Sequence, residues 1–124
     1  MSLRDALKTI LHTGRSASPI VISTTSDAIQ LSLSSPAQEK SIPWNSIRRI
    51  VVFKRDVFAN DLLCLAIELE PQAVLELDES MNGWRELIEQ LPRHLPGALP
   101  AEEWLQRAAF PAFELSPIEI YRLQ

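Results

Sequence analysis

Between residues 20 and 78 the apolar residues repeat with period two, segment after segment, and only a few residues separate one segment from the next. Side chains alternate between the two faces of a strand, so this period marks strands. A parallel neighbour needs a crossover of a dozen residues or more, and no gap here is long enough. The spacing therefore predicts an antiparallel sheet.

The segments can be read one by one. Ile20–Thr25 is β-branched, and Ser26-Asp27 signals a turn. Residues 28–34 alternate most cleanly, with Ile29, Leu31 and Leu33 on one face and Gln30, Ser32 and Ser34 on the other. One face is thus buried and one wet. A turn at Ser35–Gln38 leads to a short strand over 39–44, where Pro43 suggests an end or an edge. A strand over 47–54 centres on Ile50–Phe53, and residues 55–60 read as a loop. Residues 62–69 place Leu63, Leu65, Ile67 and Leu69 on one face. After the tight connection Glu70–Gln72, residues 73–78 point Leu75 and Leu77 inward and Glu76 and Asp78 outward. Ile118–Tyr121 reads as a last strand.

Helical periodicity flanks this block. Leu3, Ala6, Leu7, Ile10 and Leu11 line one face of a helix over 2–13, capped by Ser2 and stopped at Gly14. Residues 15–19 form a linker. Trp84, Leu87, Ile88 and Leu91 line a second helix, with Ser80 as its cap and Pro92 as its end. Residues 92–124 hold five of the nine prolines. Pro100 suits the first turn of a helix reaching about Ala109. Trp104, Phe110, Phe113 and Tyr121 keep this stretch apolar enough to pack as an ordered tail.

The expected fold class is therefore α+β. A strongly curved antiparallel sheet, or a partly open barrel, of six to seven strands is capped by the Trp84 helix. An N-terminal helix precedes it and a Pro-rich tail follows. A chain of 124 residues suits one domain, here 1–124.

Function is less constrained. The net charge of −4 argues against a nucleic-acid ligand bound by counterion release. The charge is uneven: residues 1–60 carry eight basic and four acidic side chains, residues 61–124 four and twelve. Such asymmetry can steer a protein partner. The single cysteine, Cys64, lies in the apolar run Leu62–Ile67 and reads as a buried structural thiol. No apolar run approaches the twenty residues of a spanning helix, and no leader pattern opens the chain, so a cytoplasmic location is expected.

The three glycines stand far apart, which leaves no phosphate-cradling loop. Metal-ligand spacings are absent, the two histidines (His12 and His94) read as helix-end groups, and no metal or cofactor is expected. The carboxylate pairs Glu68/Glu70 and Glu76/Asp78 read as the wet face of a sheet. The densest polar cluster is Lys54, Arg55, Asp56, Phe58 and Asp61, just downstream of Arg48 and Arg49. Two cations, two carboxylates and an aromatic in one loop suit a peptide or an anionic ligand. Ion pairing within the loop is the plainer alternative. Trp104, among Glu103, Gln106 and Arg107, is either a partly exposed contact residue or a packed one.

The Ile29-Leu31-Leu33 strand and the segment Ile42-Pro43-Trp44-Asn45-Ser46-Ile47-Arg48-Arg49-Ile50, a W-x-x-I-x-x-I entry to a middle strand, resemble the pleckstrin-homology-like fold of small bacterial proteins. The resemblance covers residues 20–95, with 96–124 as an extension packing on that core. It implies a recognition module rather than an enzyme, closed at one end by the Trp84 helix. Lipid-binding members carry basic residues at the first hairpin turn. Here that turn is Thr25–Ala28, which counts against phosphoinositide binding. The expectation is a non-enzymatic module for a protein or peptide partner, with Arg49, Lys54, Arg55, Asp56, Phe58, Asp61 and Trp104 as candidate contacts. The alternatives are a small hydrolase or transferase using Asp56 or Asp61, and a domain binding an anionic surface through Arg48, Arg49, Lys54 and Arg55.

Overall fold

The computed structural model describes residues 19–34, 37–57, 60–109 and 117–124. The helix expected over 2–13, its linker as far as Ser18, the turn residues 35–36, and Phe110 and Phe113 lie outside them. The elements run β1 (Ile20–Thr24), β2 (Ala28–Ser34), β3 (Ala37–Pro43), a 3-10 turn (Trp44–Ser46), β4 (Ile47–Val57), β5 (Asn60–Leu69), β6 (Ala73–Asp78), α1 (Trp84–His94), α2 (Ala101–Ala109) and β7 (Ile118–Arg122). The fold is α+β, with seven strands and two α-helices among the described residues.

The strands form two antiparallel sheets rather than one continuous one. Their orders are β1-β2-β3 and β6-β5-β4-β7, and among the described residues they do not close into a barrel. The ladder breaks where the 3-10 turn carries the chain from one sheet to the other. Each sheet supplies an inward row: Ile20, Ile22, Ile29, Leu31 and Ile42 from the first, Ile50, Val52, Leu65, Ile67, Leu75 and Leu77 from the second. These rows share one core with Trp84, Leu87, Ile88 and Leu91 of α1. Each fully buried aliphatic side chain contributes roughly 1.5–3 kcal/mol.

The W-x-x-I-x-x-I segment works through two local devices. The 3-10 turn buries Trp44, whose indole N–H donates to the Thr25 carbonyl at 3.0 Å. The β4–β5 register then shifts between Ile47 and Arg49. This bulge lets Ile47 and Ile50, three residues apart, both face the core while Arg49 faces out. Trp44 also stacks on His94 at the end of α1, with ring centroids 4.4 Å apart and planes 10° apart.

The entry to α1 differs from the sequence reading. Asp78, expected on the wet face, is buried at 2% exposure. Its carboxylate accepts the Ser80 N–H at 2.9 Å and the Ser80 hydroxyl, so Ser80 belongs to a turn and is not the helix cap. The next residues run beside β1: Asn82 bridges Val21 in parallel, and the Ile22 N–H donates to the Asn82 carbonyl at 2.7 Å. Gly83, at φ 94°, turns the chain into α1. Nor does Pro92 end the helix. Its φ fits the last turn, and the helix closes two residues later with the Leu95 N–H donating to the Leu91 carbonyl.

The C-terminal stretch is built into the core. The Glu103 N–H donates to the Pro100 carbonyl, as expected for a helix opened by proline. Trp104 is fully buried, so of its two readings the packed one holds and the residue is not available as a candidate contact: α2 packs against β4 and β7 and turns the indole inward. The Trp104 indole N–H has no hydrogen-bond partner among the described residues. β7 pairs with β4, and its register shifts between Ile50 and Val51. The shift leaves Ile120 without a direct partner on β4, and both Ile120 and Tyr121 are buried in succession.

Candidate functional site

The residues expected to act together lie on the β4–β5 hairpin, but not in a loop. The ladder continues through Arg55↔Leu62, Asp56↔Asp61 and Val57↔Asn60. Lysine, aspartate and asparagine have little strand preference of their own, and the long apolar strands below hold them in register. Residues 58–59, Phe58 among them, lie outside the described residues.

This hairpin outruns its neighbours. β6 pairs with β5 only from Leu69 to Cys64, and β7 pairs with β4 only from Arg49 to Val52. At Leu63 the backbone exchanges hydrogen bonds with Glu79: the Glu79 N–H donates to the Leu63 carbonyl at 3.0 Å, and the Leu63 N–H donates to Glu79 Oε1 at 2.9 Å. Past that clasp, residues 55–57 and 60–62 pair only with each other among the described residues. Among the described residues they form a two-stranded arm with no further strand paired along either edge. An isolated two-stranded hairpin is at best marginally stable in water.

The arm has two unlike faces. Alternate residues of a strand point to opposite sides, so Lys54 and Arg55 do not act as a basic pair. Lys54 shares its face with Leu63, opposite it on β5. Arg55, on the other face, pairs with Glu76 at 2.9 Å and lies over the Phe53 ring at 5.6 Å. Asp61 is exposed. Asp56 contributes its backbone to the ladder opposite Asp61.

No protein-family model matches the chain, and neither the curated proteins nor the solved structures searched contain a match. The site has to be judged on its own geometry.

Two candidates are separate from the arm. Trp104 is in the core. Arg49 lies five residues before Lys54 in β4, about 17 Å away at the usual strand rise. It centres a cluster on the outer face of the four-stranded sheet. Its guanidinium meets Glu68 and Glu119, both at 2.6 Å, and Glu119 also meets Arg122 at 2.7 Å. Arg48 and Glu70 add a looser pair at 3.6 Å. The hydrogen bonds from Arg122 and Arg49 pull the Glu119 carboxyl down to about 2. The two arginines are correspondingly shifted up, chiefly by Glu119. Exposed pairs like these contribute little individually. Together they tie β4, β5 and β7 side by side. The sequence offered no sign of this cluster, because Arg49 and Glu119 are 70 residues apart.

Cys64 behaves as its surroundings dictate. It is buried opposite Phe53 and Asp78, and burial pushes its thiol up to about 12. A thiol held there is not a nucleophile at neutral pH. Among the described residues, no group of three or more His, Cys, Asp or Glu side chains is placed to hold a metal ion, and no helix is long and apolar enough to cross a membrane.

Proposed function

We propose that this chain is a non-enzymatic interaction module of pleckstrin-homology-like type, and that it engages a protein or peptide partner through the β4–β5 arm. The observation that carries this reading is the arm itself: Lys54, Arg55 and Asp61 stand on paired strands that extend beyond β6 and β7, and among the described residues no further strand pairs along their edges. Open edges offer backbone donors and acceptors to an added strand, and the flanking side chains select which strand. Two antiparallel sheets followed by a helix that packs on their shared core are consistent with the pleckstrin-homology-like part of the reading.

The anionic-surface alternative fares worse. Of the four cations it needs, Arg48, Arg49 and Arg55 are already matched to carboxylates. A carboxylate-dependent hydrolase or transferase has no observation in its favour beyond the presence of Asp56 and Asp61.

The test is to recover the chain from its own cells at native level, identify a stoichiometric partner, and measure binding to it directly. Alanine at Lys54, Arg55, Phe58 and Asp61 together should weaken that binding at least tenfold, with thermal stability close to that of the unaltered chain. Unchanged affinity in the folded variant would remove the arm from the reading.

A further inference from the structure

Away from the arm, the outer face of the three-stranded sheet is mostly polar, with Ser23, Gln30 and Ser41 along it. One end is different. A groove of about 500 Å³ opens there, lined by Pro19, Val21, Ser32, Leu33, Ala37, Gln38 and Glu39. Val21 is 43% exposed, one of only two large hydrophobic side chains so exposed among the described residues. The groove lies where the chain enters β1, and Pro19 forms part of its wall.

Eighteen residues precede Pro19 and lie outside the described residues. Their sequence carries the apolar stripe Leu3, Ala6, Leu7, Ile10 and Leu11. A stripe this short is marginal alone in water and gains stability only by burying its apolar face. From Leu11 the chain has eight residues to reach Pro19, more than enough to double back along the groove. The charges also match. Residues 1–18 carry Arg4, Lys8 and Arg15 against Asp5, a net +2, and the charged side chain among the described residues that line the groove is Glu39. Arg15 is close enough in the chain to meet Glu39, for which no ion pair occurs among the described residues.

We infer that this groove is the docking site of the chain's own N-terminal segment, which seats Leu7, Ile10 and Leu11 against Val21 and Ala37 in the same molecule. The inference does not depend on the arm. A failure here leaves the proposed function standing, and a failure of the arm leaves this inference standing.

The experiment is paramagnetic broadening in the full chain. A nitroxide placed at His12→Cys should label that site alone, because Cys64 is buried. The expected result is loss of amide signal at Val21, Ser32 and Glu39, with the β4–β5 arm unaffected, and recovery of that signal in Leu7→Asp/Leu11→Asp. A mixture of labelled unenriched chain with unlabelled ¹⁵N chain separates the alternatives. Broadening in the mixture would give the groove to a second copy and overturn the inference. Absence of broadening in the labelled chain itself would overturn it too. Glu39→Lys should weaken the effect, and broadening that survives both Glu39→Lys and the double aspartate variant also counts against it.

Discussion

Gly83 is the position where a single methyl group should cost most. At φ 94° it occupies the left-handed region, which costs an L-residue roughly 1–2 kcal/mol. Position adds to conformation. A Cβ built on Gly83 would lie 1.9 Å from the Ile22 carbonyl oxygen and 2.8 Å from its carbon. Both are backbone atoms of β1, so no side chain can swing aside. The strand and the start of α1 would have to separate. That movement pulls on the 2.7 Å bond from the Ile22 N–H to the Asn82 carbonyl, worth about 1 kcal/mol. It also opens the packing of Trp84 and Leu87, and forced expansion of a packed core costs roughly 1–3 kcal/mol. Gly83→Ala should therefore lose about 3 kcal/mol or more, from a total that for a domain of this size is about 5–15. The expected drop in Tm is roughly 10–20 °C.

The chain carries its own control. Gly97 has φ 93°, nearly the same conformation, yet a Cβ there would meet nothing within 4 Å. Gly97→Ala should show the conformational cost alone, about 1–2 kcal/mol. Urea unfolding of both variants, followed by tryptophan fluorescence and far-UV circular dichroism, measures the difference. Equal losses would refute the close-approach argument and leave only backbone conformation at both sites.

Three further outcomes are expected. His94→Ala should cost about 0.5–1.5 kcal/mol by removing the ring stacked on Trp44, with a change in tryptophan emission; an unaltered emission spectrum would count against a packed pair. Glu119 sits at about 2 in the fold against an ordinary 4.5, so its contribution is full above about pH 4.5 and is lost as the pH falls toward 2. Amide exchange in β7 should quicken across that window, and Glu119→Gln should remove that group's share of the pH dependence. Cys64, held near 12, should resist alkylation at pH 8 in the native chain and react readily in urea, so fast native labelling would contradict its burial.

Much of the fold was legible because its strongest signals are local. The alternation Ile29-Leu31-Leu33 survives as the inward row of β2, and Leu65, Ile67, Leu75 and Leu77 face the core as their period requires. Trp84, Leu87, Ile88 and Leu91 are buried together as their helical spacing implies. The errors fall where a distant contact overrides local preference. Ser80 has the right chemistry for a helix cap, but Asp78 takes its hydroxyl and β1 holds Asn82 extended. Asp78 has the wrong polarity for burial, and the same hydrogen bonds offset that cost. Trp104 lies among polar neighbours in sequence, and α2 leaves Glu103, Gln106 and Arg107 exposed while it buries the indole against β4 and β7.

The same distinction explains why the arm was half visible. Composition drew attention to Lys54, Arg55 and Asp61, which share the β4–β5 hairpin. It misjudged their conformation, because a ladder is cooperative: twenty-one strand residues in β4 and β5 hold one another in register, and a few weak strand formers at the tip follow. That conformational difference alters the chemistry. A loop would let Lys54 and Arg55 turn toward one anion, whereas a strand points them to opposite sides. The arrangement therefore favours a partner that wraps or extends the arm over one that places a single charge between two cations. For that reason the proline substitution Asp56→Pro discriminates better than a change of charge: the Leu63 backbone is turned toward Glu79, so by alternation Asp56 turns its N–H away from β5, and proline removes that N–H while leaving Lys54 and Arg55 in place. If a partner extends the arm as a strand along β4, Asp56→Pro should abolish its binding, while Asp56→Asn should weaken it only a few fold. Equal effects of the two changes would mean that the charge, and not the open edge, is what the partner reads.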